Sequence, residues 1–201
     1  RSTPLYSSAA SDVYKRQGMH WQTHKVGASH YRTGEEKGIE RLEVAVVLGG
    51  DPTTIWTGAL PIPPDMDELA VAGIIRDTPV EMVKCRTIDL EVPAHSEFVL
   101  EGYVVPGELK TEGPFGDHTG YYSMEDDYPV FHLSAVTHRK DAIYPATVVG
   151  RPPSEDFYMG KAVERLMLPA LQMALPEVKD MNMPAEGAFH NLVIVLSLIH
   201  I

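Results

Sequence analysis

The arrangement of apolar and polar positions divides the chain into short strands with a few helices between them. The run Leu-Glu-Val-Ala-Val-Val-Leu at Leu42–Leu48 is rich in β-branched residues and almost continuously apolar, and it stops at Gly49, Gly50 and Asp51, so it reads as a buried strand. Asp51-Pro52 then opens a short helix or turn, with Asp51 as its cap and Pro52 at the first helical position. Pro61, Pro63 and Pro64 mark a rigid connection, and Asp65 or Asp67 caps the next helix. In that helix Leu69, Ala70, Ala72, Gly73 and Ile74 give a small-residue apolar face. Residues 83–105 carry strand signals with breaks at Pro93 and Gly102, and the alternation from Ser96 to Glu101 is that of a half-buried strand. A Gly- and Pro-rich loop is expected over residues 106–120, with strands returning over 130–137 and 142–149. Val163, Leu166, Met167 and Leu171 give residues 156–175 a helical period that ends near Pro176, and residues 178–195 are strand-like. Short strands outnumber helices and the connections are of hairpin length. The pattern predicts an α+β fold with a few flanking helices and an antiparallel or mixed sheet closing toward a barrel.

Composition narrows the setting. A hydrophobic content of 44% over 201 residues can bury a core for one domain, or for one domain plus fragments. The net charge of -11 argues against a nucleic-acid surface, which needs clustered Lys and Arg. A single cysteine, Cys85, cannot form an internal disulfide and suits a reducing cytoplasm. No apolar run approaches the roughly 20 residues that span a bilayer, so no membrane span is expected. Residues 1–17 show neither periodicity nor the apolar core of a signal peptide, and they resemble translated adapter sequence, as do residues 196–201. Both are expected to be non-native or disordered tails around an informative stretch of 18–195.

The stretch Glu112-Gly113-Pro114-Phe115-Gly116-Asp117-His118-Thr119-Gly120-Tyr121-Tyr122 carries the most chemistry. Pro114 and two glycines work against a helix, while Gly113 and Gly116 permit turns that return Glu112 and Asp117 toward one point. Two close carboxylates share protons unevenly, so one can serve as an acid near neutral pH. A solvated acidic turn fits the same spacing. His20 and His24, four apart, could share a helix face, but no Glu follows His20 and the zinc-protease pattern fails.

Glu-Gly-Pro-Phe-Gly-Asp followed by Thr-Gly-Tyr-Tyr resembles the signature loop of UbiD decarboxylases. Other segments match in order: Gly18-Met19-His20-Trp21-Gln22-Thr23-His24-Lys25, Leu60-Pro61-Ile62-Pro63 with Glu68, Val83-Lys84-Cys85, Asp89-Leu90-Glu91-Val92-Pro93-Ala94, Gly150-Arg151-Pro152-Pro153 and Pro184-Ala185-Glu186-Gly187. The resemblance implies a split β-barrel that binds prenylated FMN and removes CO2 from aromatic or α,β-unsaturated acids. The modified flavin takes the electrons released by C–C cleavage, and the protein orients the substrate and delivers a proton. It implies that Glu112 and Asp117 are the catalytic acids, with Asp117 the proton donor. It also implies that Gly58, Ala59, Leu60 and Pro61 approach the flavin, beside a bound K+. Glu68 and His24 would hold a Mn2+ (or Mg2+) at the cofactor phosphate, with His20 the alternative ligand. The stretch 151–156 resembles the mouth of the active site, so Asp156 and Gly160 would shape the substrate pocket. His30 and Lys84 read as structural or surface residues, and Cys85 as a packed strand residue.

The same resemblance implies a flavin prenyltransferase as cofactor supplier, a homo-oligomeric parent, and a catalytic Arg and a metal-binding Asn upstream of Gly18. Arg1 and Arg16 do not fit that upstream pattern, so the chain is expected to be a central-domain piece, inactive alone. A quinone-precursor hydroxybenzoate or naphthoate is the expected type of substrate. Two other readings are a split-barrel flavin-binding module without decarboxylase activity and a metal-dependent hydrolase built on His20, His24 and His30. The acid pair distinguishes the first from an enzyme, and flavin-free metal binding the second.

Overall fold

The structure, a computed structural model, describes residues 5–6, 26–58, 60, 62, 66–114 and 116–198. They fall into two compact units, one from residues 5–6, 26–112 and 125–146, the other from residues 113–124 and 147–198.

The first unit contains strands β1 (Leu5–Tyr6), β2 (Leu42–Leu48), β3 (Met82–Lys84), β4 (Glu91–Pro93), β5 (Phe98–Glu112) and β6 (Asp126–His138). Helices α1 (Val26–Glu36), α2 (Pro52–Thr57) and α3 (Glu68–Arg76) belong to it as well. The main sheet runs β1-β2-β5-β6, with β2, β5 and β6 antiparallel to their neighbours and the two-residue β1 parallel to β2. Among the described residues the sheet stays open and no closed barrel forms, so the antiparallel α+β expectation stands at that coarser level.

Strand β2 is apolar from Val44 to Leu48 because both its faces are covered there. Val44, Val46 and Leu48 pack with Tyr31 of α1 and Val104, while Ala45 and Val47 pack with Leu90, Val92 and Val99. The α2 cap is as expected: Asp51 accepts from the Thr54 N–H at 3.0 Å, with Pro52 at the helix start. Of the two candidate caps for α3, Asp67 accepts from the N–H groups of Leu69 and Ala70. The apolar face expected of α3 is only partly used, since Ala72 is buried but Ile74 is 78% exposed.

Strand β5 departs most from the sequence reading. Gly102 does not break it: a side chain there would place its Cβ 2.1 Å from the His132 carbonyl oxygen on β6, so the glycine permits a close strand approach. Pro106 and Gly107 do not start a loop either. The strand continues through them to Glu112, with the pairing to β6 shifting between Val104 and Leu109. The unpaired Gly107 N–H donates instead to the Tyr31 hydroxyl at 2.6 Å. The strand expected over 142–149 is absent; the Ile143 N–H donates to the Glu97 carboxylate at 3.0 Å rather than to a neighbouring strand. Helix α1 had no counterpart in the sequence reading.

Glu101 is almost fully buried in β5 and joins the β3–β4 hairpin to the sheet. Its carboxylate accepts from the backbone N–H of Arg86 at 2.9 Å and of Thr87 at 2.6 Å, and from the Thr87 hydroxyl at 2.8 Å. Burial alone would raise its pKa. The hydrogen bonds outweigh burial and hold the carboxyl below the ordinary range. Glu101→Gln, which keeps one acceptor but loses the charge, is expected to cost about 1–3 kcal/mol at neutral pH. Because the folded pKa lies below the unfolded value of about 4.3, this contribution is complete above that value and is lost as pH falls through the folded pKa. Urea midpoints of wild type and variant should therefore differ at neutral pH and converge in acid.

Candidate active site

In the first unit, α2 ends at Gly58, whose N–H donates to the Trp56 carbonyl; Leu60 follows, buried, with its N–H on the Thr57 carbonyl at 3.1 Å. Gly58 has an ordinary helical φ of -63°, so its use lies in lacking a side chain and not in backbone freedom. Glu68 is the first residue of α3, half-buried, and no described residue hydrogen-bonds or ion-pairs with its carboxylate. Helix α3 packs on α2, which places the expected cofactor segment and Glu68 on adjoining elements. Ala59, Pro61, His20 and His24 lie outside the described residues. Glu112 ends β5, half-buried, with Asp126 opposite it on β6. Lys84 pairs with Asp89 at the surface, 3.2 Å away. Burial, reinforced by the charges of Glu101 and Glu43, pushes the Cys85 thiol up to about 11, which leaves it inert.

The second unit contains the loop after Glu112, helix α4 (Glu155–Ala174), strands β7 (Val178–Asn182) and β8 (Ile194–Ser197), and a 3-10 turn at Ala185–Gly187. The loop is a closed turn: the Asp117 N–H donates to the Tyr121 carbonyl and the Gly120 N–H to the Asp117 carbonyl, each at 3.0 Å, while Gly116 bridges Tyr122. Gly120 has φ +87°, and a Cβ there would lie 2.8–2.9 Å from Arg151, so the position admits only glycine without strain.

Asp117 is held by its neighbour. Its Oδ1 accepts from the His118 backbone N–H at 2.8 Å and lies 2.6 Å from His118 Nδ1. The other side of the His118 ring meets His190, with Nε2 to Nε2 at 3.3 Å, and Phe189 at a centroid separation of 5.5 Å. Phe189 also packs against Phe157 and over Gly160, where a Cβ would meet it at 2.6 Å. Asp117 and Gly160 are thus linked through His118 and Phe189. Asp156 lies in the first turn of α4; its Oδ1 accepts from the Phe157 N–H at 2.9 Å, and its buried Oδ2 has no partner among the described residues.

The segment carrying Phe189 and His190 is anchored by Glu164, a buried carboxylate on α4. It accepts from Lys161 Nζ at 2.8 Å and from the Met183 N–H, and pairs with Arg165. Burial raises its pKa, but these partners outweigh it and hold the carboxyl below the ordinary range. Sequence reasoning missed this anchor, and also His118, Phe189 and His190 as site residues. His118 was signalled only by its place beside Asp117; His190, 72 positions away, gave no local signal.

The comparisons with known proteins converge. The 3-octaprenyl-4-hydroxybenzoate carboxy-lyase Rift-related domain matches residues 10–152, and the C-terminal domain of the same carboxy-lyase matches residues 157–198. An uncharacterized protein of Archaeoglobus fulgidus is 54% identical over 181 residues, which is 90% of this chain and 38% of that protein. Vanillic acid decarboxylase of Sedimentibacter hydroxybenzoicus, in closed form, superposes with a TM-score of 0.80 at 26% identity, over 94% of this chain and 40% of that one. An evolved dimeric form of the UbiD-class enzyme HmfF from Pelotomaculum thermopropionicum, in complex with prFMN, gives 0.78 at 30% identity, over 89% and 41%. Fold and sequence together place the chain in the UbiD class of these solved structures, and the reading as a flavin-binding module alone is not favoured. The chain belongs to the UbiD family. It spans about two fifths of the length of these relatives.

Gly120→Ala should destabilise the second unit by about 1–3 kcal/mol through the disfavoured φ and the clash with Arg151. Thermal unfolding reads the effect, and an unchanged midpoint would show that the turn is not held as described.

Proposed function

We propose that the full-length protein containing this chain is a non-oxidative decarboxylase of aromatic or α,β-unsaturated carboxylic acids that uses prenylated FMN. The observation that carries the reading is the held carboxylate of Asp117, fixed in a closed turn by His118 within the Glu-Gly-Pro-Phe-Gly-Asp sequence. Asp117 is the proton donor, and Glu112 is the second acid of the network. Asp156 and Gly160 shape the substrate pocket: the buried Asp156 Oδ2 lacks a donor, and a substrate hydroxyl would supply one. That preference for a hydroxylated ring agrees with a quinone-precursor hydroxybenzoate or naphthoate, and with the vanillic acid decarboxylase likeness.

The donor set suits the expected cofactor. The carboxylate of Glu68 is a hard oxygen ligand unclaimed by any described residue, and with His24 it would hold Mn2+ or Mg2+ at the flavin phosphate. Gly58, Ala59, Leu60 and Pro61 would line the flavin, with a K+ beside them. When bound, prenylated FMN supplies the electron sink for C–C cleavage; the chain's own groups orient the acid and hold the proton that replaces CO2. The wider reading includes a split barrel, a homo-oligomeric cytoplasmic enzyme, and a flavin prenyltransferase as supplier. Among the described residues no helix is long and apolar enough to cross a membrane.

The full-length gene, co-expressed with a flavin prenyltransferase, should release CO2 from an aromatic acid. Asp117→Asn should lower kcat by about 10²- to 10⁴-fold, with Glu112→Gln also impaired. Glu68→Gln should lose metal on gel filtration, read by elemental analysis. An Asp117→Asn enzyme with undiminished turnover would overturn the donor assignment.

A further inference from the structure

The hydrogen-bond roles around His118 follow from those of His190. His190 Nδ1 lies 2.6 Å from the Ala188 carbonyl oxygen, which can only accept, so Nδ1 carries the hydrogen. In the neutral ring Nε2 is then a lone pair. His118 Nε2, 3.3 Å away, must donate to it. The remaining nitrogen, His118 Nδ1, faces Asp117 Oδ1 at 2.6 Å. Two lone pairs at that separation repel, so a hydrogen lies between them. The Asp117 backbone turn and the His118 N–H fix the carboxylate in place.

We propose that His118, its tautomer fixed by His190, shares with Asp117 the one proton that decarboxylation consumes, which makes both histidines positioning residues for proton delivery. The inference rests on the reading of Asp117 as donor and extends it to the source of the proton. In each turnover the bond to the carboxyl carbon breaks and CO2 leaves. The electron pair left behind forms a C–H bond with the proton of the Asp117–His118 pair. The pair is then one proton short, and a proton from water restores it. Solvent has access, since the His118 and Asp117 side chains are 31% and 41% exposed. His190 spends no proton; it keeps Nδ1 of His118 turned to the acid, because a His118 ring in the other tautomer would lose its Nε2 donor bond. Phe189 and Phe157 pack beside the pair and limit how far the His118 ring can swing.

The test has two arms. In the 201-residue chain without flavin, 15N-histidine NMR should show His118 as a single form with hydrogen on Nε2. Asp117→Asn should shift the His118 Nδ1 resonance, and His190→Phe should spread His118 over both tautomers. His190→Gln, which keeps an acceptor, should restore the wild-type pattern. A His118 spectrum indifferent to both Asp117→Asn and His190→Phe would overturn the proposal. In the full-length flavin-loaded enzyme, His118→Gln and His190→Phe should lower kcat about ten- to hundredfold with KM within about twofold, and His190→Gln should recover most of the loss. Unchanged kcat in His118→Gln, beside a crippled Asp117→Asn, overturns this inference and leaves the decarboxylase reading intact. Unchanged kcat in Asp117→Asn overturns the donor assignment itself.

Discussion

The buried carboxylate of Glu101 is the interaction on which the first unit depends. A charged group with almost no exposure is tolerated there because two backbone N–H groups and a hydroxyl from residues 86–87 surround it. Those contacts fasten the turn of the β3–β4 hairpin to β5, and the hairpin in turn supplies Leu90 and Val92 to cover the second face of β2. Strand β5 is therefore held from both sides, by β2 and β6 as hydrogen-bonded neighbours and by Glu101 through its own side chain. A strand so constrained can run for 15 residues, through a proline, two glycines and two shifts of register, and still deliver Glu112 at a defined point.

The second unit uses the same device. Glu164, buried on α4, gathers Lys161, Arg165 and the Met183 N–H, and so pins the end of β7 to the helix. The chain then turns through Ala185–Gly187 and presents Phe189 and His190 to His118. The desolvation cost of such a buried carboxylate is offset when donors fill its oxygens, and donors at a few fixed positions specify one register. In each unit that anchor stands behind an acid of the signature loop: Glu101 on the strand of Glu112, Glu164 on the helix that fixes the partners of Asp117's histidine.

Much of this was legible in the sequence, for identifiable reasons. β2 was readable end to end because a nearly continuous apolar, valine-rich run bounded by Gly-Gly-Asp has few other solutions, and the caps Asp51 and Asp67 were readable because capping is local. The limits of β5 were not, because Gly102 and Pro106 punctuate a chain only when their tertiary surroundings are unknown; here a carbonyl on β6 requires the glycine and a bulge admits the proline. Residues 142–149 looked like a strand by composition, yet Glu97 takes the backbone donor that a strand would have used. The signature loop identified Asp117 by its motif. Its partners His190 and Phe189 were invisible because contacts across 72 positions leave no periodic trace, and Glu164 was hidden among ordinary helical charges.

The central claim is that the protein supplies a proton to the carbon that CO2 leaves, without net oxidation. Decarboxylation by the full-length flavin-loaded enzyme in D2O, followed by mass spectrometry of the product, tests it directly. The account predicts one deuterium at the vacated carbon, one CO2 per product and no consumption of oxygen. A product oxidised or hydroxylated at that carbon, or oxygen uptake matching CO2 release, would contradict it.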